Sequence, residues 1–289
     1  MPTELYIRIW DVQHGSAVYV RTPEDRHLAI DLGVGDTSGN LSTNKDYFSP
    51  LEYIRRVWAV RQLDLVVISH PHTDHVDDIF EFDKLNPRVL ITPRHISDDD
   101  IVANNRSSDK SVLHKYLAIR QKYSAPIIGD SVYDEKPNFE FVSFSPSTCN
   151  VTNLNNQSIV VFMTYAGSTI CIPGDPESCA WQELLGQPGF KDYLRKTNIL
   201  VASHHGRESG YYEEIFDYCT PHLVIISDGP QGATCVADKY RNKALGWEVH
   251  SPGKESKNRY VLTTRSDGSI DIKFRIENNG TQYRAVHIE

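Results

Sequence analysis

Apolar residues fall in short runs broken by polar turns, a pattern that predicts many short strands. The first strands are expected over Leu5–Trp10, Ala17–Arg21 and Leu28–Asp31. A polar loop, Gly33–Ser49, follows. Pro50 is placed to open a helix reaching about Ala59, because a first helical turn does not need the N–H that proline lacks. The run Leu65-Val66-Val67-Ile68 reads as a buried strand extending to Ser69. A helix is expected from about Val76. Asp77 and Asp78 fall in its first turn, where the helix dipole favours negative charge.

Val89–Thr92 is a further expected strand, Arg94–Lys110 an exposed polar loop, and Ser111–Lys122 a helix. A second set of strands is expected at Phe139–Phe144, Ser158–Tyr165, Thr169–Ile172, Ile199–Ser203 and Leu223–Ser227. Helices are placed near Pro176–Leu185 and Tyr211–Tyr218. Strands Arg259–Thr264, Ile270–Arg275 and Tyr283–Ile288 close the chain. Strands with helices interposed in both halves predict an α+β sandwich, with two sheets face to face and helices outside. No repeat or low-complexity linker marks a boundary, so residues 1–289 are read as one domain.

Composition narrows the class. With 39% apolar and 24% charged residues, the chain reads as soluble and globular. No apolar run approaches the length of a membrane span. The start, Met1-Pro2-Thr3-Glu4, lacks the basic opening and apolar core of a signal peptide. The five cysteines are odd in number and form no CxxC pair, so no disulfide framework is expected and a reducing cytosol fits. The net charge of −8 argues against a surface built to grip long nucleic acid. Two bound dications would add about +4 locally, which leaves a phosphodiester substrate open. The basic set Lys239, Arg241, Lys243, Lys254, Lys257 and Arg259 reads as a solvated face.

The chemistry concentrates in Ser69-His70-Pro71-His72-Thr73-Asp74-His75, directly after the predicted strand. In an extended segment, residues two apart point the same way, so His70 and His72 can share one metal. The chain can then turn so that Asp74 and His75 reach a second. Imidazole and carboxylate suit zinc and its neighbours. Two such metals about 4 Å apart share a water and make it a nucleophile near neutral pH. Asp31, Asp175 and the pair His204-His205 each stand just past the end of an expected strand, at the rim of a sheet. Convergent rim loops are how such a scaffold builds a site.

These stretches together resemble the metallo-β-lactamase superfamily, and within it the ComEC-like branch, named for the hydrolase domain of the competence DNA-uptake protein. Asp11-Val12-Gln13-His14-Gly15-Ser16-Ala17 is similar to the branch's opening "DVGQGDA". Ser69–His75 matches "SHPHxDH", and Asn155-Asn156-Gln157-Ser158 is similar to "NxNS" or "NNxS". Gly174-Asp175 matches "GD", His204-His205-Gly206 matches "HHG", and Ile226-Ser227-Asp228-Gly229 is similar to "ISVG".

The resemblance implies an αββα metallo-β-lactamase fold and a metal-dependent hydrolase, a phosphodiesterase or nuclease using a metal-bridged hydroxide. By it, His70 and His72 bind one metal and Asp74 and His75 the other, with Asp175 bridging. One of His204 and His205 completes the second metal's shell, and the other is a substrate ligand or proton donor. The expected set is thus His70, His72, Asp74, His75, Asp175 and His204 for metal, with Asp74 and His205 catalytic. His14, Asn155, Asn156 and Arg207 are candidates for substrate binding. Asp31 is expected to orient a ligand histidine. The cofactor is two divalent ions, zinc or alternatively manganese.

The departures from the pattern also matter. Many superfamily members carry another metal histidine before the bridging aspartate, where this chain has Asn153, Asn155 and Asn156. An incomplete shell there loosens zinc and favours manganese. Asp77-Asp78 replaces the usual Gly-Gly, His14 and Ser16 replace Gln and Asp, and a late His-Pro near Gly232–Val236 is missing. Two other readings stay open. One is hydrolysis of a lactone, thioester or β-lactam. The other is a binding or regulatory protein with a vestigial metal site.

Overall fold

The computed structural model describes residues 4–36, 47–125, 139–229 and 235–289. In chain order the first strands are β1 (Glu4–Ile9), β2 (Ala17–Arg21), β3 (His27–Leu32), β4 (Gly35–Asp36), β5 (Tyr47–Phe48), β6 (Leu65–Val67) and β7 (Val89–Ile91). Next come β8 (Phe139–Phe144), β9 (Val160–Tyr165), β10 (Ser168–Ile172), β11 (Thr197–Val201) and β12 (Leu223–Ile226). The last are β13 (Trp247–His250), β14 (Lys257–Arg259), β15 (Val261–Thr263), β16 (Ile270–Ile276) and β17 (Gln282–Ile288). The helices are α1 (Pro50–Arg56), α2 (Ile79–Phe82), α3 (Asp98–Ala103), α4 (Lys110–Lys122), α5 (Ser178–Gly186), α6 (Phe190–Lys196), α7 (Ala237–Arg241) and α8 (Thr264–Asp267).

Nine strands form one sheet in the order β14-β13-β17-β16-β1-β2-β3-β6-β7. Among the described residues, six form a second, β15-β12-β11-β10-β9-β8, while β4 and β5 pair apart from both. Alternation decides which side chains lie between them. Leu5, Ile7 and Ile9 of β1 and Ile270, Ile272 and Phe274 of β16 face Val161, Met163, Ile170 and Ile172 across the inter-sheet core. The opposite face of the first sheet, with Val66 and Ile68, is covered by Leu51, Ile79, Phe82, Leu113 and Tyr116 from its helices. Outside the second sheet, Phe162, Leu200 and Val224 meet Trp181, Leu184, Phe190 and Leu194. The result is the expected αββα sandwich. Strands β6 and β12 are covered on both faces, which is why their sequences read as unbroken apolar runs, and β10 and β11 become apolar only toward their C-terminal ends.

Several expectations are corrected. The stretch Arg94–Lys110 is not all exposed loop, because it holds α3. Ser97 Oγ caps that helix by accepting from Asp100 N at 3.0 Å, and Ile101 is its one buried residue. Tyr211–Tyr218 forms only a 3₁₀ turn, Glu213–Asp217. The helix expected from Val76 is a 3₁₀ turn, Thr73–His75, followed by the short α2. Asp78 does not serve its own helix. It accepts from Ser49 Oγ at 2.6 Å and Leu51 N at 2.8 Å, so it anchors the start of α1. The strand Arg259–Thr264 is two strands in different sheets, with the chain crossing at Tyr260. Helix α6 and strand β13 were not expected. Most of the Gly33–Ser49 loop and most of Gly232–Val236 lie outside the described residues.

One disulfide, Cys149–Cys179, forms where none was expected. The partners are 30 residues apart in sequence, too far for a local signal. Cys171, Cys219 and Cys235 are free. Among the described residues, no helix is long and apolar enough to cross a membrane.

Candidate metal centre

Parallel pairing builds the rim. β3, β6 and β7 run parallel in one sheet, and β10, β11 and β12 run parallel in the other. Their C-terminal ends therefore line up, and the loops that leave them meet. Ser69–His75 follows β6, Asp175 follows β10, His204 and His205 follow β11, and Ser227 follows β12. A bond across the sandwich fixes the approach, Ile159 N donating to Ser69 O at 2.9 Å, and within the six-stranded sheet Asp175 N donates to Ser158 Oγ at 3.0 Å.

The ring nitrogens converge on the carboxylates. His75 Nε2 lies 3.3 Å from Asp175 Oδ2 and 3.4 Å from His205 Nε2. His205 Nε2 is 3.3 Å from both Asp175 Oδ2 and Asp74 Oδ2. His70 Nε2 stands 3.9 Å from Asp175 Oδ2 and 3.1 Å from His72 Nδ1. Among the described residues, two groups each bring one ligand atom per residue within 4.8 Å of one another: His70, His75 and Asp175, and Asp74, His75 and His205.

The far side of each ring is tied down, which aims Nε2 inward. His75 Nδ1 donates to Asp31 Oδ2 at 2.8 Å. Ser69 Oγ donates to the same oxygen at 2.9 Å and accepts from His70 Nδ1 at 3.1 Å. His205 Nδ1 donates to Ser227 O at 3.0 Å, and Ser227 Oγ donates to Gly15 O at 2.8 Å. A ring whose Nδ1 holds the proton presents a lone pair at Nε2, the state a metal requires.

Backbone strain gathers here. Asp31, His204 and His205 have φ of 58°, 50° and 54°, in the left-handed region that costs a non-glycine residue of order 1–3 kcal/mol. Two glycines hold the ligand loop. A Cβ on Gly15 would stand 2.5 Å from Asp74 O, and one on Gly33 2.9 Å from it. That close approach lets Ser16 N donate to Asp74 O at 3.2 Å. The opening motif therefore buttresses Asp74, a role its glycine signalled in the sequence without saying toward what.

The electrostatics fit a cation. Burial opposes charge on His75, but Asp175 and Asp31 outweigh it and hold the ring well above its ordinary pKa. His205, likewise buried, is held up to about 10 by Asp175 and Asp74. Burial and the charge of His75 push His70 well down. Burial works against the ionised forms of Asp74 and Asp175, yet the His205 and His75 charges keep both well below the usual carboxylate range. Buried acids this close need positive charge among them. The donor set, imidazole nitrogen with carboxylate oxygen, suits zinc and neighbouring divalent ions.

Other expected residues divide. His14 Nε2 lies 3.3 Å from Asp74 Oδ2 on a half-exposed side chain, at the mouth of the cluster. His204 turns away from its neighbour: its Nδ1 is 2.8 Å from Ser209 Oγ and 3.3 Å from Glu177 Oε1. The structure thus brings His205, rather than His204, into the cluster. Asn155 and Asn156 are buried beside Glu177. Arg207 lies near enough that its charge adds to burial in depressing His14 and His204. Glu177, which gathers His204, Asn153 and Asn155, was missed in the sequence because its partners lie over twenty residues away. The basic set is largely neutralised, with Lys239 on Glu208, Lys243 on Glu213 and Arg259 on Asp267. Tyr211 packs on Phe216 and Tyr240.

No family model matches the chain. It is 23% identical over 235 residues to ComE operon protein 3 of Bacillus subtilis (strain 168), covering 76% of this chain and 28% of that protein. It is 24% identical over 285 residues to competence protein ComA of Neisseria gonorrhoeae, covering 99% of this chain and 34% of that protein. The chain resembles the ComEC-like proteins of the metallo-β-lactamase superfamily. Its ComEC-like stretch corresponds to about a third or less of either relative's length. Among solved structures, Zn2+-bound PqqB from Methylobacterium extorquens overlays with a TM-score of 0.41 at 11% identity, covering 78% of this chain and 89% of that chain.

Proposed function

We propose that residues 1–289 form a single metal-dependent hydrolase domain that cleaves phosphodiesters. The convergence of His70, His75 and His205 Nε2 on Asp74 and Asp175 carries this reading. His70 and His72 would hold one divalent ion and Asp74, His75 and His205 the other, with Asp175 available to both. This moves His205 into the ligand set and leaves His204 outside it, beside Glu177. Bound zinc or manganese supplies Lewis acidity and a water activated near neutral pH.

The chain's own residues do the rest. Asp31, Ser69 and Ser227 O keep each ring in one tautomer. Asp74, the less buried acid, would take the proton from the water as its oxygen bonds to phosphorus, and return it to the leaving oxygen as the ester P–O bond breaks. His14, His204 and Arg207 flank the mouth, where they meet a substrate phosphate; Arg207 offsets charge on its oxygens. The likeness to competence proteins supports a nucleic acid or nucleotide as the substrate class. The net charge of −8 favours a second reading, a small lactone, thioester or β-lactam on the same metals.

Turnover of metal-reconstituted protein on bis-p-nitrophenyl phosphate, single- and double-stranded DNA, RNA, cyclic nucleotides and a lactone tests this. Phosphodiester cleavage lost on chelation is the expected result. Lactone cleavage alone would replace the substrate class. His72→Ala and Asp175→Ala should each abolish turnover while leaving the fold largely intact.

A further inference from the structure

The segment 150–158 brings three asparagines to the edge of the metal centre, and their hydrogen bonds fix which way each amide points. Asn156 Oδ1 is fully engaged, accepting from Glu177 N at 3.0 Å and Ala180 N at 3.2 Å in the first turn of α5. Asn153 Nδ2 donates to Glu177 Oε2 at 2.8 Å, and its Oδ1 accepts from Asn155 N at 3.1 Å. Asn155 Nδ2 donates to Glu177 Oε1 at 3.2 Å. A carboxylate offers only acceptors, so this last amide cannot be turned round. Its oxygen must face away from Glu177.

That oxygen has no hydrogen-bond partner among the described residues, although Asn155 is only 8% exposed. A buried polar atom is costly to leave unpaired, so a missing partner is implied. Its neighbour is the His72 ring, which touches the Asn155 amide without the geometry of a full hydrogen bond. His72 Nδ1 in turn stands 3.1 Å from His70 Nε2. Two ring nitrogens and an orphaned amide oxygen thus share one corner of the site. The Cys149–Cys179 disulfide ties the start of this segment to α5, which carries the oxygen's orientation.

We propose that Asn155 Oδ1 is a ligand of the divalent metal held by His70 and His72. This rests on the metal-dependent reading above and completes the shell that the sequence leaves short. Glu177 is then a positioning residue that presents the oxygen. An amide oxygen is a harder donor than imidazole, so this corner favours manganese more than an all-histidine corner does.

Metal binding itself is the test. Apo-protein is titrated with Mn2+, followed by the electron paramagnetic resonance signal of the free ion, and with Zn2+ by calorimetry. The wild type is expected to bind two Mn2+ per chain. Asn155→Ala should bind one, or take the second roughly tenfold or more weakly. Asn155→His should recover the second ion and shift its preference from manganese toward zinc. A folded Asn155→Ala that binds two Mn2+ with wild-type affinity overturns the assignment and leaves the hydrolase reading standing. If the alanine variant does not fold, an unchanged zinc-to-manganese preference in Asn155→His overturns it instead. A wild type that binds no divalent ion removes both.

Discussion

Asp31 Oδ2 accepts a 2.8 Å hydrogen bond from His75 Nδ1, with both side chains wholly shielded from water. The bond leaves the lone pair of His75 on Nε2, beside Asp175. Asp31→Asn removes the charge that holds this tautomer, and asparagine tolerates the left-handed backbone at φ 58°. Metal affinity should fall roughly 10–100-fold while the fold survives. Competition with a chromophoric chelator measures it. Unchanged affinity would mean that the bond only packs the loop.

His204 and His205 are neighbours with opposite fates. His205→Ala should lose one metal and its turnover, because Nε2 lies 3.3 Å from two carboxylates. His204→Ala should retain both ions and change only rate or KM, since its Nδ1 faces Ser209 and Glu177. Elemental analysis of the two purified variants decides. Metal loss in the His204 variant would reverse the assignment.

Gly174 precedes Asp175 with φ of 68°, and a Cβ there would sit 2.7 Å from the Ser69 side chain. Gly174→Ala combines backbone strain with overpacking and should destabilise by about 1–3 kcal/mol. A lower urea midpoint at unchanged slope is the expected readout. An unmoved midpoint would show that the two rim loops can separate at little cost.

The metal-free protein should lose stability as pH rises. Asp175 and Asp74 overcome burial to hold His205 up to about 10. Its unfolded value is about 6.5. Below about 6.5 both states carry the proton and the full stabilisation is present. Above that the unfolded chain releases its proton first, and the benefit drains away as pH approaches about 10. In chelator, the melting temperature should therefore fall across that window. Bound metal takes the proton's place, so metal affinity should rise with pH. A chelated protein with a flat profile would contradict the charge balance at the site.

The ligand loop was legible because β6 is an unbroken apolar run and Ser69–His75 follows it directly. Asp175 was legible because it follows the apolar end of β10, Ile170-Cys171-Ile172. Which of His204 and His205 turns inward was not, because a pair of consecutive left-handed residues decides it. No local pattern encodes that geometry. Glu177 and the Cys149–Cys179 pair stayed hidden because only folding brings α5 to the asparagine segment. Helix α3 escaped because its polar sequence buries Ile101 alone. Strands β14 and β15 read as one because the crossing at Tyr260 interrupts no apolar pattern.

Asp31 and Ser69–His75 come from the nine-stranded sheet, while Asp175 and His205 come from the six-stranded one. Neither sheet alone can assemble the cluster. A chain still emerging from the ribosome, or clipped between its halves, is therefore chemically silent. The metal cluster waits until residue 205 has been made and the two layers have closed. If the proposed hydrolase reading holds, a site assembled this way carries its own safety catch against acting half-built.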